Sequence, residues 1–134
     1  MEYGDMTIQD QAVVLPNSAR GSFTKNIGNT TASVITGIGF KPRVVIFWGL
    51  IPLTKGMCMG FFEDGSGQGG GVASYNDVAG FFGNSGGPLV FWQGGANQFI
   101  ENNSQTVQTD GFTLGWSRSG SPVGTATIYY LALK

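Results

Sequence analysis

Only a few residues of this chain stand in a spacing that catalysis or ligand binding uses. Gly83-Asn84-Ser85-Gly86-Gly87-Pro88 sets a serine among glycines, the surroundings of an acyl-transfer nucleophile. Such a serine needs an imidazole to take its proton and a carboxylate to hold that imidazole. The chain contains no histidine, so the stretch reads as a glycine-rich turn. Gly65-Ser66-Gly67-Gln68-Gly69-Gly70 satisfies G-x-G-x-x-G. A dinucleotide site needs that loop to follow a parallel strand and open a helix, with an acid about 20 residues further on. Gly71-Val72-Ala73-Ser74-Tyr75 follows instead, which is poor material for a helix start. Metal centres gather Cys, His or carboxylates. Cys58 and one adjacent acid pair, Glu63-Asp64, are what the sequence offers, enough for a weak Ca²⁺ contact at most. No two carboxylates are placed by sequence as a glycosidase pair. The expectation is a protein that is not an enzyme and uses no cofactor or metal.

Rings are the other candidate for chemistry. Tyr75, Phe81 and Phe82 lie in or beside a Gly/Asn-rich stretch, and Trp92 lies on the strand that follows. Exposed rings beside Asn and Gly can stack on sugars, which makes these four the glycan-contact candidates. The plainer reading is that they plug the open end of a small β-domain.

The elements that must position these residues are strands. Hydrophobic residues alternate at period 2 in several short runs, and no window has helical periodicity. The runs are Arg20–Asn26, Thr30–Thr36, Arg43–Trp48, Gly56–Glu63, Val72–Tyr75, Leu89–Gln93, Ala96–Ile100 and Ser104–Thr109. Residues 64–71 and 76–88 read as loops. A closing hairpin, Gly111–Leu133, is the clearest pair: Phe112, Leu114 and Trp116 alternate with polar or small residues. Arg118-Ser119-Gly120-Ser121-Pro122 then turns the chain, and Thr125–Leu133 runs without Gly, Pro or charge. Both faces of that last strand, and of Arg43–Trp48 and Gly56–Glu63, are apolar enough to be buried. Strands at roughly 8–12-residue spacing with Gly-rich turns predict an all-β fold, a single antiparallel β-sandwich, jelly-roll-like, of about 8–10 strands. Residues 1–19 are expected to form an N-terminal arm and residues 20–134 the sandwich.

Composition narrows the partners. Charged residues are 11% of the chain and glycine supplies 23 of its 134 residues. Typical soluble domains carry about 25% charged residues. A surface this poor in charge is expected to be partly interface in an assembly. The net charge is −1 and the seven basic residues are scattered, so no row of phosphates can be neutralised and no nucleic-acid partner is expected. The acidic, polar start MEYGDMTIQDQ has no signal-peptide pattern. The longest apolar run, Val44–Leu53, falls short of the roughly 20 residues that cross a bilayer, so no membrane partner is expected either. Cys58, between Met57 and Met59, reads as a small buried hydrophobe.

Two segments carry a family likeness. In Ser33–Gly49, Thr36-Gly37, Gly39-Phe40 and Pro42 form a "T-G-x-G-F-x-P" turn feeding an apolar strand. In Asp110–Lys134, Asp110-Gly111-Phe112-Thr113-Leu114 with Trp116 leads to a last strand ending Tyr130-Leu131-Ala132-Leu133. Together they resemble a recurrent β-domain of tailed-phage virion proteins, found in tail-fibre and tailspike tips and in capsid decoration (cement) proteins. The resemblance implies a β-sandwich on a virion surface, commonly a homotrimer, with a structural or binding role. On that footing two functions are expected. The first is a cement protein, made in the host cytoplasm, that binds the major capsid protein on the outer capsid surface and stabilises the shell. Only about 19 residues precede the sandwich, where fibres carry an attachment domain and a shaft, and this favours the first. The second is a receptor-binding fibre tip that recognises host surface glycans through the Tyr75–Trp92 region. Residues 56–104 match no motif of that pattern, and individual function is expected there.

Overall fold

The computed structural model describes residues 17–51, 56–65, 69–75, 78–84, 87–93 and 98–134, with the backbone alone at 72–75 and 78–84. The expected arm falls almost wholly outside these residues. Among them the chain forms β1 (Ser18–Asn26), β2 (Ser33–Thr36), β3 (Val44–Ile51), β4 (Gly56–Glu63), β5 (Gly69–Tyr75), β6 (Val78–Asn84), β7 (Val90–Trp92), β8 (Phe99–Gln108), β9 (Gly111–Ser119) and β10 (Thr125–Leu133). A six-stranded sheet has the order β1-β10-β3-β4-β5-β6 and a four-stranded sheet the order β2-β9-β8-β7. The fold is the all-β sandwich that the strand pattern predicts. Its first and last strands interleave in both sheets, as in a jelly roll: β10 lies between β1 and β3, and β9 between β2 and β8. The middle of the chain adds two meanders, β3 to β6 and β7 to β9.

The closing hairpin is not a hairpin. β9 belongs to the four-stranded sheet and β10 to the six-stranded one. A tight hairpin uses a two-residue reversal. Here Gly120–Gly124 intervenes, with Pro122 inside it and left-handed φ of +68° at Gly120 and +124° at Gly124. That link arches over the end of the sandwich. β10, with no charge to keep in water, becomes an interior strand between β1 and β3. β9 pairs instead with β8 from Gln108↔Gly111 to Phe99↔Ser119. Three smaller expectations also change. β1 starts at Ser18, inside the expected arm. Residues 78–84, read as loop, are a strand pairing with β5. The two runs Ala96–Ile100 and Ser104–Thr109 are one strand, β8, interrupted by a bulge between Asn102 and Ser104. Asn102 fills that bulge from a fully buried position. Its Nδ2 donates to the Ser104 carbonyl at 2.9 Å and the Gly115 carbonyl at 2.7 Å, and its Oδ1 accepts from Gln105 Nε2 at 2.5 Å.

The core lies between the sheets and is centred on Phe112 of β9, which is fully buried. Its ring meets Phe47 of β3, Phe62 of β4 and Tyr130 of β10 edge-on, at centroid distances of 5.5, 6.1 and 5.3 Å. Edge-to-face geometry matches the ring quadrupoles and adds to the area buried. The residues on either side of this turn serve the same corner. Asp110 accepts hydrogen bonds from the backbone N–H groups of Gly37 (3.0 Å) and Gly39 (2.7 Å), one on each carboxylate oxygen. Both glycines have left-handed φ, +81° and +88°, which turns their N–H groups toward one anion. Gly111 passes so close to the Ile35 carbonyl that a Cβ there would overlap it. The "T-G-x-G" and "D-G-F" stretches, 73 residues apart at Gly37 and Asp110, are therefore one structural unit.

Two buried groups give the sandwich a pH dependence. Burial pushes the Cys58 thiol up from 9.0 to about 12, and hydrogen bonds with the backbone at Val90 and Gly49 offset only part of this. Burial also raises the Tyr130 hydroxyl. Both groups become charged on losing a proton, so the unfolded chain ionises first as pH rises. Stability is then complete below the unfolded thiol value of 9.0 and falls between there and about 12. Denaturant titrations across pH 8–11 are expected to show a falling unfolding free energy, at most about 1.4 kcal/mol per pH unit per group. Cys58→Ala is expected to flatten the slope; an unchanged slope in that variant removes the thiol from the explanation.

Candidate interaction surface

The outer face of the six-stranded sheet is built by the same strands whose inner face makes the core. Alternation in β3 turns Val45, Phe47 and Ile51 inward and leaves Trp48 and Leu50 outside. In β4, Cys58 and Phe62 are inside and Met57, Met59 and Phe61 outside; in β10, Tyr129 is outside. These six outer side chains are 38 to 49% exposed. Reading both faces of these strands as buried is thus corrected for the single chain: one face packs against the second sheet and the other meets solvent. A sandwich has only one second sheet to offer, so an apolar outer face stays open unless something else covers it.

Register puts the outer residues in rows. Ser22, Tyr129, Trp48 and Met59 are neighbours across β1, β10, β3 and β4. The next row is Arg20, Leu131, Ile46 and Phe61. Trp48 and Tyr129 stack at 6.0 Å with 14° between their planes, which fixes both rings as a ridge. A groove of about 490 Å³ borders the ridge over Val44, Ile46, Met59 and Phe61, where Gly70 supplies no side chain. A second, of about 550 Å³, runs along Trp48, Tyr129 and Leu131 beside Gly21 and Ser22. The charged members of this face stand at its margin: Arg20 on the edge strand and Glu63 at the end of β4.

The four glycan-contact candidates do not share a sheet. Tyr75 ends β5, while Phe81 and Phe82 lie on β6 opposite Ser74 and Ala73, beside a bulge at Ser74/Tyr75. The side chains of these three lie outside the described residues. Trp92 is on β7 in the other sheet, half-buried, with its ring stacked on Phe99 at 5.0 Å and 8°. One face of the indole is therefore taken by a protein ring. The sequence reading missed the surface that the structure presents. Its signal was in the sequence, because Trp48, Leu50, Met57, Met59 and Phe61 occur at every second position of two adjacent strands.

The other candidate chemistry resolves into structure. Gly69 and Gly70 of the G-x-G-x-x-G stretch open a strand, where a dinucleotide site needs a helix. Of the serine stretch, Ser85 lies outside the described residues; Gly87 and Pro88 are buried, with the Pro88 carbonyl over Gly60 and Gly71. Asp64 pairs with Lys41 at 3.0 Å. No three His, Cys, Asp or Glu side chains gather among the described residues. A polar cavity of about 350 Å³ between the edge strands β1 and β2 contains Lys25. Its ammonium donates to Asn29 Oδ1 at 3.0 Å and the Thr31 carbonyl at 2.6 Å and lies 5.4 Å above the Trp116 ring. Burial lowers its pKa. With its donors so occupied, Lys25 ties the β1–β2 link to the second sheet. No helix among the described residues is long and apolar enough to cross a membrane. Comparison with known proteins finds no family model that matches the chain and no curated protein that matches it.

Proposed function

We propose that the chain is a structural, non-enzymatic protein of a tailed-phage virion that binds the outer capsid shell as a homotrimer and stabilises it. One observation carries the reading. The two stretches that hold the resemblance, far apart in sequence, meet through the Asp110 carboxylate on Gly37 and Gly39 and through Phe112 in the core. Their meeting in one corner supports reading them together as one unit of the fold. The apolar sheet face and the low charge content support a role in assembly. The glycan-tip alternative is left with at most one face of the Trp92 ring, the other being stacked on Phe99.

The test is to add the purified chain to shells of the major capsid protein from the same genome and measure occupancy and shell melting. Saturable binding with a raised shell melting temperature is expected. Deleting residues 1–15, which precede β1, is expected to leave the fold intact and abolish decoration. Absence of binding by the full chain sinks the proposal; full occupancy by the truncated chain removes the arm from it.

A further inference from the structure

We infer that the outer face of the six-stranded sheet is covered by a second copy of this chain, with the Trp48–Tyr129 ridge of one copy entering a groove of the other. The inference rests on the self-association in the proposed function and is independent of the capsid. Three observations carry it.

The first is area. Six side chains of about 200 Å² each, somewhat less than half exposed, offer on the order of 500–600 Å² of largely apolar surface. The partly exposed Val44, Ile46, Leu131 and Leu133 extend it. A stable interface takes about 800 Å² from each partner. With those four residues added, the face passes the roughly 300–600 Å² of a monomer's largest apolar patch and approaches that interface figure.

The second is relief. A ridge fixed by ring stacking stands between two grooves of about 490 and 550 Å³, whose floors or walls include Gly70 and Gly21. Interfaces between identical copies must be self-complementary or head-to-tail complementary, and a ridge beside a groove on one surface serves either. The third is charge. Among the described residues the charges of this face are Arg20 on the edge strand β1 and Glu63 at the end of β4, in adjacent rows at one end of the sheet, and the centre carries none. A charge-depleted centre with a polar rim is the anatomy of an assembly interface, and two like copies meet there without repulsion.

The experiment is light scattering coupled to gel filtration on the full chain at micromolar concentration, with Met59→Lys and Leu50→Glu as variants. Both residues are about half exposed, so the fold of the single chain tolerates the change. The wild type is expected at a multiple of 14.1 kDa. Each variant is expected to weaken self-association by about 100-fold or more, since a charge then sits where the partner's ridge should pack. Far-UV circular dichroism should be unchanged. Val34→Lys and Val123→Lys, 63% and 70% exposed away from this face, are expected to keep the wild-type mass. Peroxide oxidation gives a second readout: Met57 and Met59 should react slowly in the wild-type assembly and fast in Leu50→Glu. A wild-type monomer overturns the inference, as does wild-type mass in both variants. A monomeric wild type whose shell binding is lost in Met59→Lys assigns the face to the capsid protein instead. An assembly that dissociates on mutation but never binds shells refutes the capsid reading and leaves this one standing.

Discussion

Phe112→Ala is expected to destabilise the protein by about 3–5 kcal/mol, the range for deleting a large buried ring and leaving a cavity behind it. The site is among the least able to collapse. Phe47, Phe62 and Tyr130 contact the ring from the six-stranded sheet, and each is held by its own strand. Closing the gap would mean moving one sheet toward the other, against every other contact between them. At this chain length about 3–4 °C is lost per kcal/mol, so the melting temperature should fall by roughly 10–20 °C. Phe112→Leu fills most of the volume and is expected to cost about 1–1.5 kcal/mol. Equal losses for the two variants would mean that the aromatic edge contacts, not the volume, dominate. A loss under about 1 kcal/mol for Phe112→Ala would remove Phe112 from the centre of the core. Self-association of the folded Phe112→Leu protein should be unchanged, because the ring lies on the inner side of the sandwich.

This pattern also explains what was legible in the sequence. Phe112, Leu114 and Trp116 announce a half-buried strand through their alternation, and all three are buried as a row facing the core. Strand type is a local property and local residues state it. Strand partners are not local. Nothing in Gly111–Leu133 says that β9 and β10 belong to different sheets; that depends on β3, β8 and the five-residue arch competing for each edge. The candidate surface was legible in composition but not in meaning. Apolar residues on both faces of β3, β4 and β10 signal burial on both sides, yet a two-layer fold has a second layer for one side only. The glycine at Gly60, silent in any periodicity, acquires its reason only when the Pro88 carbonyl arrives above it.

Gly60 should therefore respond to the smallest substitution. A Cβ at Gly60 would overlap the Pro88 carbonyl, and one at its cross-strand partner Gly71 would crowd the same oxygen. The two glycines make a side-chain-free saddle across β4 and β5, on which residues 87–88 lie before Leu89 to Phe91 enter the core. The obstacle is backbone, not the free end of a side chain, so it yields only if the whole crossing segment shifts. Overpacking of this kind costs about 1–3 kcal/mol and more where backbone must move. The compensating gain, a less flexible unfolded chain, is only about 0.4–1 kcal/mol. The clash wins, and Gly60→Ala is expected to lose about 2–3 kcal/mol net. Gly71→Ala should lose somewhat less. The double variant is the more telling measurement. Once one methyl has displaced the Pro88 segment, the second meets less resistance, so the double loss should fall short of the summed single losses by about 1 kcal/mol. Additive losses would mean that the two glycines answer to different neighbours. A stabilised Gly60→Ala would mean that the segment does not rest on the saddle at all.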